Sequence, residues 1–353
     1  MRRSYYEDLR LFGSVPQFLW ASILVAALAA APFFLGTYHL YVLGYVGIHV
    51  IVALGLNVLV GYTGQVSLGH AGFFAIGAYG TVMLMNHLGF PLLIALPAAA
   101  LIAAAFGFLL GLPALRLEGP YLAIVTLGFG LAVETIFLKG AIFGGSTGPS
   151  VPAFPLRLLP QMGAEQNLYL LIMLCACLAL VAVRNLIKTR VGRAFIAIRD
   201  SDVAASCAGV NLMYYKTLSF AISAFFTGLA GGLFAFHLGQ IDPTTFNLIM
   251  SILFLAMVVI GGVSSILGAV LGAVLISVLN LKLKGLRLAD FQEIPWVGDA
   301  VAGFLARHFM ETGMANIQFI VYGLIMVLIM IFEPYGLYGI WIRAKRYWRT
   351  WPF

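Results

Sequence analysis

RNLIKTRVGRAFIAIRDSDVAASCAGVNLMYYK, residues Arg184 to Lys216, is the longest well-charged run in a chain that is otherwise nearly all hydrocarbon. Apolar segments long enough to cross a bilayer flank it on both sides. Six cations (Arg184, Lys188, Arg190, Arg193, Arg199 and Lys216) stand here against Asp200 and Asp202. Short loops this rich in Lys and Arg stay on the cytoplasmic side, so the run orients everything around it. Within it, Val191 to Ala208 mixes small and apolar residues with charges, which predicts short amphipathic helices lying outside the membrane. Gly209 followed by Asn211 reads as a helix stop. Two readings of the loop stand open on composition: an ordinary positive-inside loop, or a docking platform for a soluble partner.

The rest of the composition agrees with a membrane setting. Of 353 residues, 62% are hydrophobic and 9% charged, whereas about a quarter of an ordinary soluble domain is charged. The expected fold is therefore all-α and polytopic, a single membrane domain over residues 1–353. Apolar runs begin near Phe18, Tyr41, Leu68, Pro91, Pro120, Asn167, Tyr215, Asn247, Ser264 and Asn316, which gives about ten transmembrane helices. With an even count and the central loop inside, both termini are expected to be cytoplasmic. Arg2, Arg3, Arg10, Arg116 and the tail cations Arg343, Lys345, Arg346 and Arg349 then fall inside as well. The cations placed outside are Lys139, Arg157 and four in a loop from Lys282 to Ala315 that also carries four acids. Short amphipathic helices are expected in that loop, and Trp341, Trp348 and Trp351 among the tail cations read as an interfacial anchor. Arg2 and Arg3 before an apolar run imitate a signal peptide, but Glu7 and Asp8 intervene, so an uncleaved first helix is expected.

The net charge of +7 gathers in membrane-flanking loops rather than in a stripe, so nucleic acid is not the expected partner; lipid is. Cys175, Cys177 and Cys207 make neither a disulfide framework nor zinc spacing. His49, His70 and His237 share no i, i+4 spacing and no carboxylate cluster, so no metal site is expected. No P-loop, nucleophile elbow or paired catalytic carboxylates occur, so neither an enzyme nor a cofactor-binding chain is expected. Glu134, the one acid well inside a span, is left between pairing with Lys139 and serving a polar path.

The most unusual intramembrane stretch is GLNVLVGYTGQVSLGHAGFFAIGAYG, Gly55 to Gly80. Its glycines allow close helix approach, and Gly61-Tyr62-Thr63-Gly64 is expected to break the helix. Asn57, Thr63, Gln65, Ser67 and His70 are polar groups that need partners or a cavity in lipid. Asn57, Gly61, Thr63, Gly64, Gln65, Ser67, Gly69 and His70 are thus candidates either for a pathway lining at a helix break or for a tight helix seam.

Several blocks in order resemble one family. These are Gly55 to Tyr79, EGPYLAIVTLGFG (Glu118 to Gly130), GGSTGPS (Gly144 to Ser150), Gly192 to Asn211, KTLSFAISAFFTGLAGGLFA (Lys216 to Ala235) and VVIGGVSSILGAVLGA (Val258 to Ala273). Together they resemble the M-type permeases of the Liv-type ABC importers for branched-chain amino acids. The resemblance implies a bacterial inner-membrane subunit that moves leucine, isoleucine or valine. It further implies a related H-type permease, two cytoplasmic ATPase subunits that bind the ATP, and a periplasmic substrate-binding protein. It assigns residues 184–216 as the coupling loop, with Ala204-Ala205-x-x-x-Gly209 similar to the core of the family's coupling motif. Val203 stands where that motif has glutamate, and Asp200 or Asp202 are the substitutes at hand; Arg193 completes the candidate docking set. Relatives carrying urea or short amides share most of these blocks, and a stand-alone secondary transporter is the remaining alternative.

Overall fold

The computed structural model describes residues 15–113, 117, 119–156, 159, 162–285, 323–324, 327–328, 331–333 and 336–350. The expected helices of the Lys282 to Ala315 loop lie outside the described residues beyond 285, and the expected span from Asn316 lies mostly outside them. The first helix, α1 (Val15–Phe34), is followed by α2 (Thr37–Asn57), which runs on through a π-helical turn, Val58–Tyr62. Then come α3 (His70–Leu88), α4 (Leu92–Gly111), α5 (Pro120–Lys139) and α6 (Ala164–Lys188). Two short helices, α7 (Arg190–Asp200) and α8 (Asp202–Cys207), precede α9 (Leu212–Leu238), α10 (Leu248–Gly261), α11 (Ile266–Gly285) and α12 (Gly336–Thr350). Each of the first nine apolar runs read from the sequence starts on one of these helices or within a few residues of it. Among the described residues, five helices are long and apolar enough to cross a membrane: α2 with its π-turn, α4, α5, α6 and α9.

Punctuation between the helices follows local chemistry. Gly89, at φ 65°, closes α3 by a left-handed cap, its N–H bonded to the Met85 carbonyl and that of Phe90 to Leu84. Pro91 then leads directly into α4, and Pro120 occupies the first turn of α5, where a missing N–H costs nothing. Thr189, Ser201 and Asn211 cap α7, α8 and α9 with their side chains.

The bundle is sorted by burial. In the central apolar window of α2, 89% of residues are buried, and in that of α9, 72%; the figures for α5 and α6 are 22% and 28%. Helices α2 and α9 are therefore the core, α9 packing on α2, α3 and α4, while α2 also carries α6, α10 and α11. Tyr121, Ile124, Leu131 and Ile136 on α5 are left facing outward, as expected where lipid or another subunit supplies the missing contact.

The connections gather at two ends. At one, the π-turn and residues 63–66 meet α7, α8, the start of α9 and the turn between α10 and α11. At the other, Asn86 near the end of α3 donates to the Ser150 carbonyl (2.9 Å), and Ser150 bridges to Gln240 beyond α9. Gln166 at the start of α6 reaches the Pro32 carbonyl near the end of α1 there (3.1 Å).

Candidate functional site

The helix break expected at Gly61 to Gly64 is present, and it lies at the loop end of the bundle. The π-turn releases carbonyls that an α-helix would use, and local groups take them up: Thr63 Oγ1 donates to the Val58 carbonyl (2.8 Å) and the Gln65 N–H to Leu59 (3.1 Å). Gly64, at φ 76°, turns the chain away from the helix axis into an irregular segment that reaches His70.

A cavity of about 390 Å³ opens where this segment meets the central loop. Thr63, Gly64, Gln65 and Val66 form one wall, Gly119 and Leu122 of the α5 start another, and Ile198, Arg199, Asp202, Val203 and Lys216 the third. The two stretches singled out in the sequence, 55–80 and 184–216, thus share one cavity. Gln65 donates from Nε2 to Ser219 Oγ (3.1 Å), while its buried Oε1 has no donor among the described residues. Lys216 is buried and pairs with Asp202 across the cavity floor. It belongs to α9 and not to the exposed loop surface, so one of the six counted cations is taken up inside the fold.

The remaining candidates in the glycine-rich stretch face elsewhere. Asn57 is fully buried and uses both ends of its amide on the α10–α11 turn: Oδ1 accepts from the Ser264 N–H and Nδ2 donates to the Ser265 carbonyl, each at 3.1 Å. His70 lies between two hydroxyls, Ser67 Oγ at 2.9 Å and Ser223 Oγ at 2.8 Å. Thr126 Oγ1 accepts from the Leu68 N–H (3.0 Å) and Ser251 Oγ from that of Ala71 (2.9 Å), tying the irregular segment to α5 and the start of α3 to α10. Gly69 has no room for a side chain, since a Cβ there would sit 2.1 Å from the Thr126 carbonyl oxygen; one on Gly77 would sit 1.9 Å from that of Gly228. Around Ser67 to Gly77 the arrangement is a close helix seam with its polar groups paired across α3, α5, α9 and α10.

The coupling-loop candidates divide by exposure. Phe195 and Ile198 anchor α7 inward, and Ala205 anchors α8. Arg193, Asp200, Ala204 and Gly209 lie on the exposed side with Val203, which is 73% exposed. Gly209, at φ 82°, ends α8 by a Schellman closure, the Val210 N–H reaching back to the Ala205 carbonyl and its own to Ser206, each at 3.0 Å. Arg199 and Ser264 were not picked out from the sequence, yet they join the loop to the core: Arg199 Nη1 donates to Ser264 Oγ at 2.5 Å. Glu134 on α5 is partly exposed. Among the described residues no group of three or more His, Cys, Asp or Glu is placed to hold a metal ion.

A family model described as "Branched-chain amino acid transport system / permease component" matches residues 38–330. The chain belongs to this permease family. The match encloses the helix break, the seam and the loop together. The permease is 34% identical over 285 residues to the high-affinity branched-chain amino acid transport system permease protein LivM of Salmonella typhimurium, covering 74% of this chain and 60% of the relative. The LivM protein of Escherichia coli K12 matches with the same identity and coverage. A probable branched-chain amino acid transport permease protein LivH of Methanocaldococcus jannaschii is 29% identical over 167 residues, 46% of this chain and 45% of its own. The permease spans 60% of the length of the LivM relatives it matches. No solved structure matches it.

Proposed function

We propose that this permease is the M-type membrane subunit of an ABC importer in a bacterial inner membrane, and that it passes leucine, isoleucine or valine inward. ATP is bound and hydrolysed by two partner ATPases, a related H-type permease completes the membrane domain, and a periplasmic protein delivers the substrate. The observation that carries this reading is the cavity in which the exposed loop α7–α8 and the helix break at 63–66 meet. A partner that moves the loop moves one wall of that cavity directly. A permease powered by ATP that partner subunits bind can be driven only by such differential contact with the partners' states. In this reading the loop end faces the cytoplasm and Val203, Ala204, Gly209, Arg193 and Asp200 seat the ATPase. Thr63, Gly64 and Gln65 border the inner mouth of the pathway, with Gln65 Oε1 the polar group left to meet substrate or water. The family match supplies the substrate class.

The test is uptake of radiolabelled leucine into proteoliposomes holding the full complex. Uptake should require ATP, the ATPase subunits and the binding protein. Leucine uptake by this chain alone, following an ion gradient and indifferent to the ATPases, would establish the secondary-transporter alternative. Preferential uptake of urea or a short amide would keep the coupling and move the substrate.

A further inference from the structure

Ser264 is the one non-glycine residue with positive φ (66°) among the described residues. It sits in the turn between α10 and α11, just after Gly262 at φ 117°. A serine held in the left-handed region costs about 1–2 kcal/mol, and such strain persists only where the surroundings impose it. Here they do. Its Oγ donates to the Gly61 carbonyl in the π-turn (2.6 Å), its N–H is held by Asn57 Oδ1 (3.1 Å), and its Oγ accepts from Arg199 Nη1 (2.5 Å). Arg199 Nη1 also lies 3.5 Å from the Gly61 carbonyl. The other edge of the guanidinium is fixed by Asp200, whose Oδ1 takes Nε at 3.1 Å and Nη2 at 2.8 Å. The Arg199 stem passes under Gly64, where an added Cβ would lie 3.2 Å from Arg199 Cγ. One side chain from the end of α7 therefore grips both irregular backbone turns of the membrane core, which are 203 residues apart in the chain.

We propose that Arg199, with Ser264 as its acceptor, is the positioning residue that carries movement of the coupling loop into the π-turn, which leads into the cavity wall at 63–66, and into the α10–α11 turn bonded to it. The inference deepens the importer reading and rests on it. The backbone at Gly61 and at 262–265 is already freed from regular helical hydrogen bonding by the π-turn and the interhelical turn, so it can shift without breaking a helix. The planar guanidinium is held on one edge by Asp200 and on the other by Ser264, so it transmits displacement rather than absorbing it. Asp200 thus has a second task beside surface charge, namely to aim the guanidinium.

Two measurements on the assembled complex in nanodiscs or proteoliposomes test this. The first is amide hydrogen exchange. R199A should accelerate exchange in both 58–66 and 262–265 by roughly tenfold, the loss expected for one hydrogen bond to a charged group, although neither segment is mutated. The second is the ATP hydrolysed per leucine imported. R199A and S264A should each raise it by at least about fivefold, the lower end of ordinary coupling between sites, at unchanged amounts of complex. The double variant should be no worse than the worse single, because both break the same tie, and R199K should recover part of the coupling by keeping one donor. Unchanged exchange in either turn overturns the tie. Unchanged ATP per leucine in both single variants, multiplicative effects in the double variant, or losses that track the amount of complex overturn the coupling role. Failure of the importer reading would show differently, as wild-type uptake that ignores the ATPases while the exchange response to R199A persists.

Discussion

The seam at Ser67 to Gly77 and the exposed face of the loop at Arg190 to Gly209 both present small residues, and the structure uses them in opposite ways. In the seam, small residues face backbone: Gly69 meets the Thr126 carbonyl and Gly77 meets Gly228. The polar groups there, His70 with Ser67 and Ser223, are paired within the chain. In the loop, Ala204 and Gly209 face outward beside an exposed valine, and a Cβ on Gly209 would meet nothing within 4 Å. A small residue pressed on backbone is a packing requirement; one that meets open space leaves room for a second molecule. The distinction separates residues that pack the chain together from residues proposed to seat a partner, and it can be tested by substitution.

The largest effect is expected in the seam. Gly77→Leu would push a side chain into the backbone of Gly228, which cannot rotate away as a side chain could. Overpacking a well-filled core commonly costs about 1–3 kcal/mol and more where backbone must move, so the variant should yield little assembled complex on size-exclusion chromatography. An assembled, active Gly77→Leu protein would break the comparison at its strongest point. Below it comes His70→Ala, which removes two hydrogen bonds and leaves two buried hydroxyls without that partner. A loss of about 1–3 kcal/mol is expected, seen as a lower unfolding temperature, with uptake falling only in step with folded protein. Uptake lost at an unchanged unfolding temperature would instead return His70 to the transport pathway.

Much of this division can be read in the sequence, because it follows from local pattern. The helix starts follow from apolar run length, the break from Gly61 and Gly64 around Tyr62 and Thr63, and the end of α8 from Gly209. What could not be read depends on contacts between distant residues. The amides and hydroxyls of Asn57, Ser67 and His70 look alike as intramembrane polar groups, and only the positions of Ser264, Ser223 and the α10–α11 turn show that they are braces. Lys216 looks like a loop cation until α9 begins before it and Asp202 is found against it. Arg199 is one of six cations in a basic run, and Ser264 is one serine in an apolar block; nothing local to either announces their bond. A positive φ on a serine leaves no sequence signature, whereas on a glycine it often does.

The loop side calls for subtler substitutions. At Gly209, asparagine tolerates the left-handed backbone and leucine does not, so the pair separates the turn from the surface it presents. Gly209→Asn should import leucine nearly as wild type. Gly209→Leu should assemble in normal amounts, with strain of about 1–2 kcal/mol confined to the loop, and should lose at least about fivefold in uptake driven by ATP. Equal uptake by the two would mean that nothing docks at this surface.

The smallest effect needs no substitution in the working protein. Cys207 is exposed at the end of α8, whereas Cys175 and Cys177 lie half-buried on α6, within a span where lipid shields them from a charged reagent. A membrane-impermeant maleimide should therefore report almost entirely on Cys207, with Cys207→Ser as the blank. If the basic loop faces the cytoplasm, inside-out vesicles should label and intact cells should not. Adding the ATPase subunits should slow labelling in the vesicles, since Cys207 lies between Ala204 and Gly209 on the proposed seat, while a cysteine placed at Gly163, at the far end of the bundle, should label in intact cells instead. Labelling of Cys207 from outside would reverse the orientation and remove the ATPase from this surface. The seam would survive that result, because its contacts lie wholly within the chain, and the contrast between the two regions would then concern packing alone.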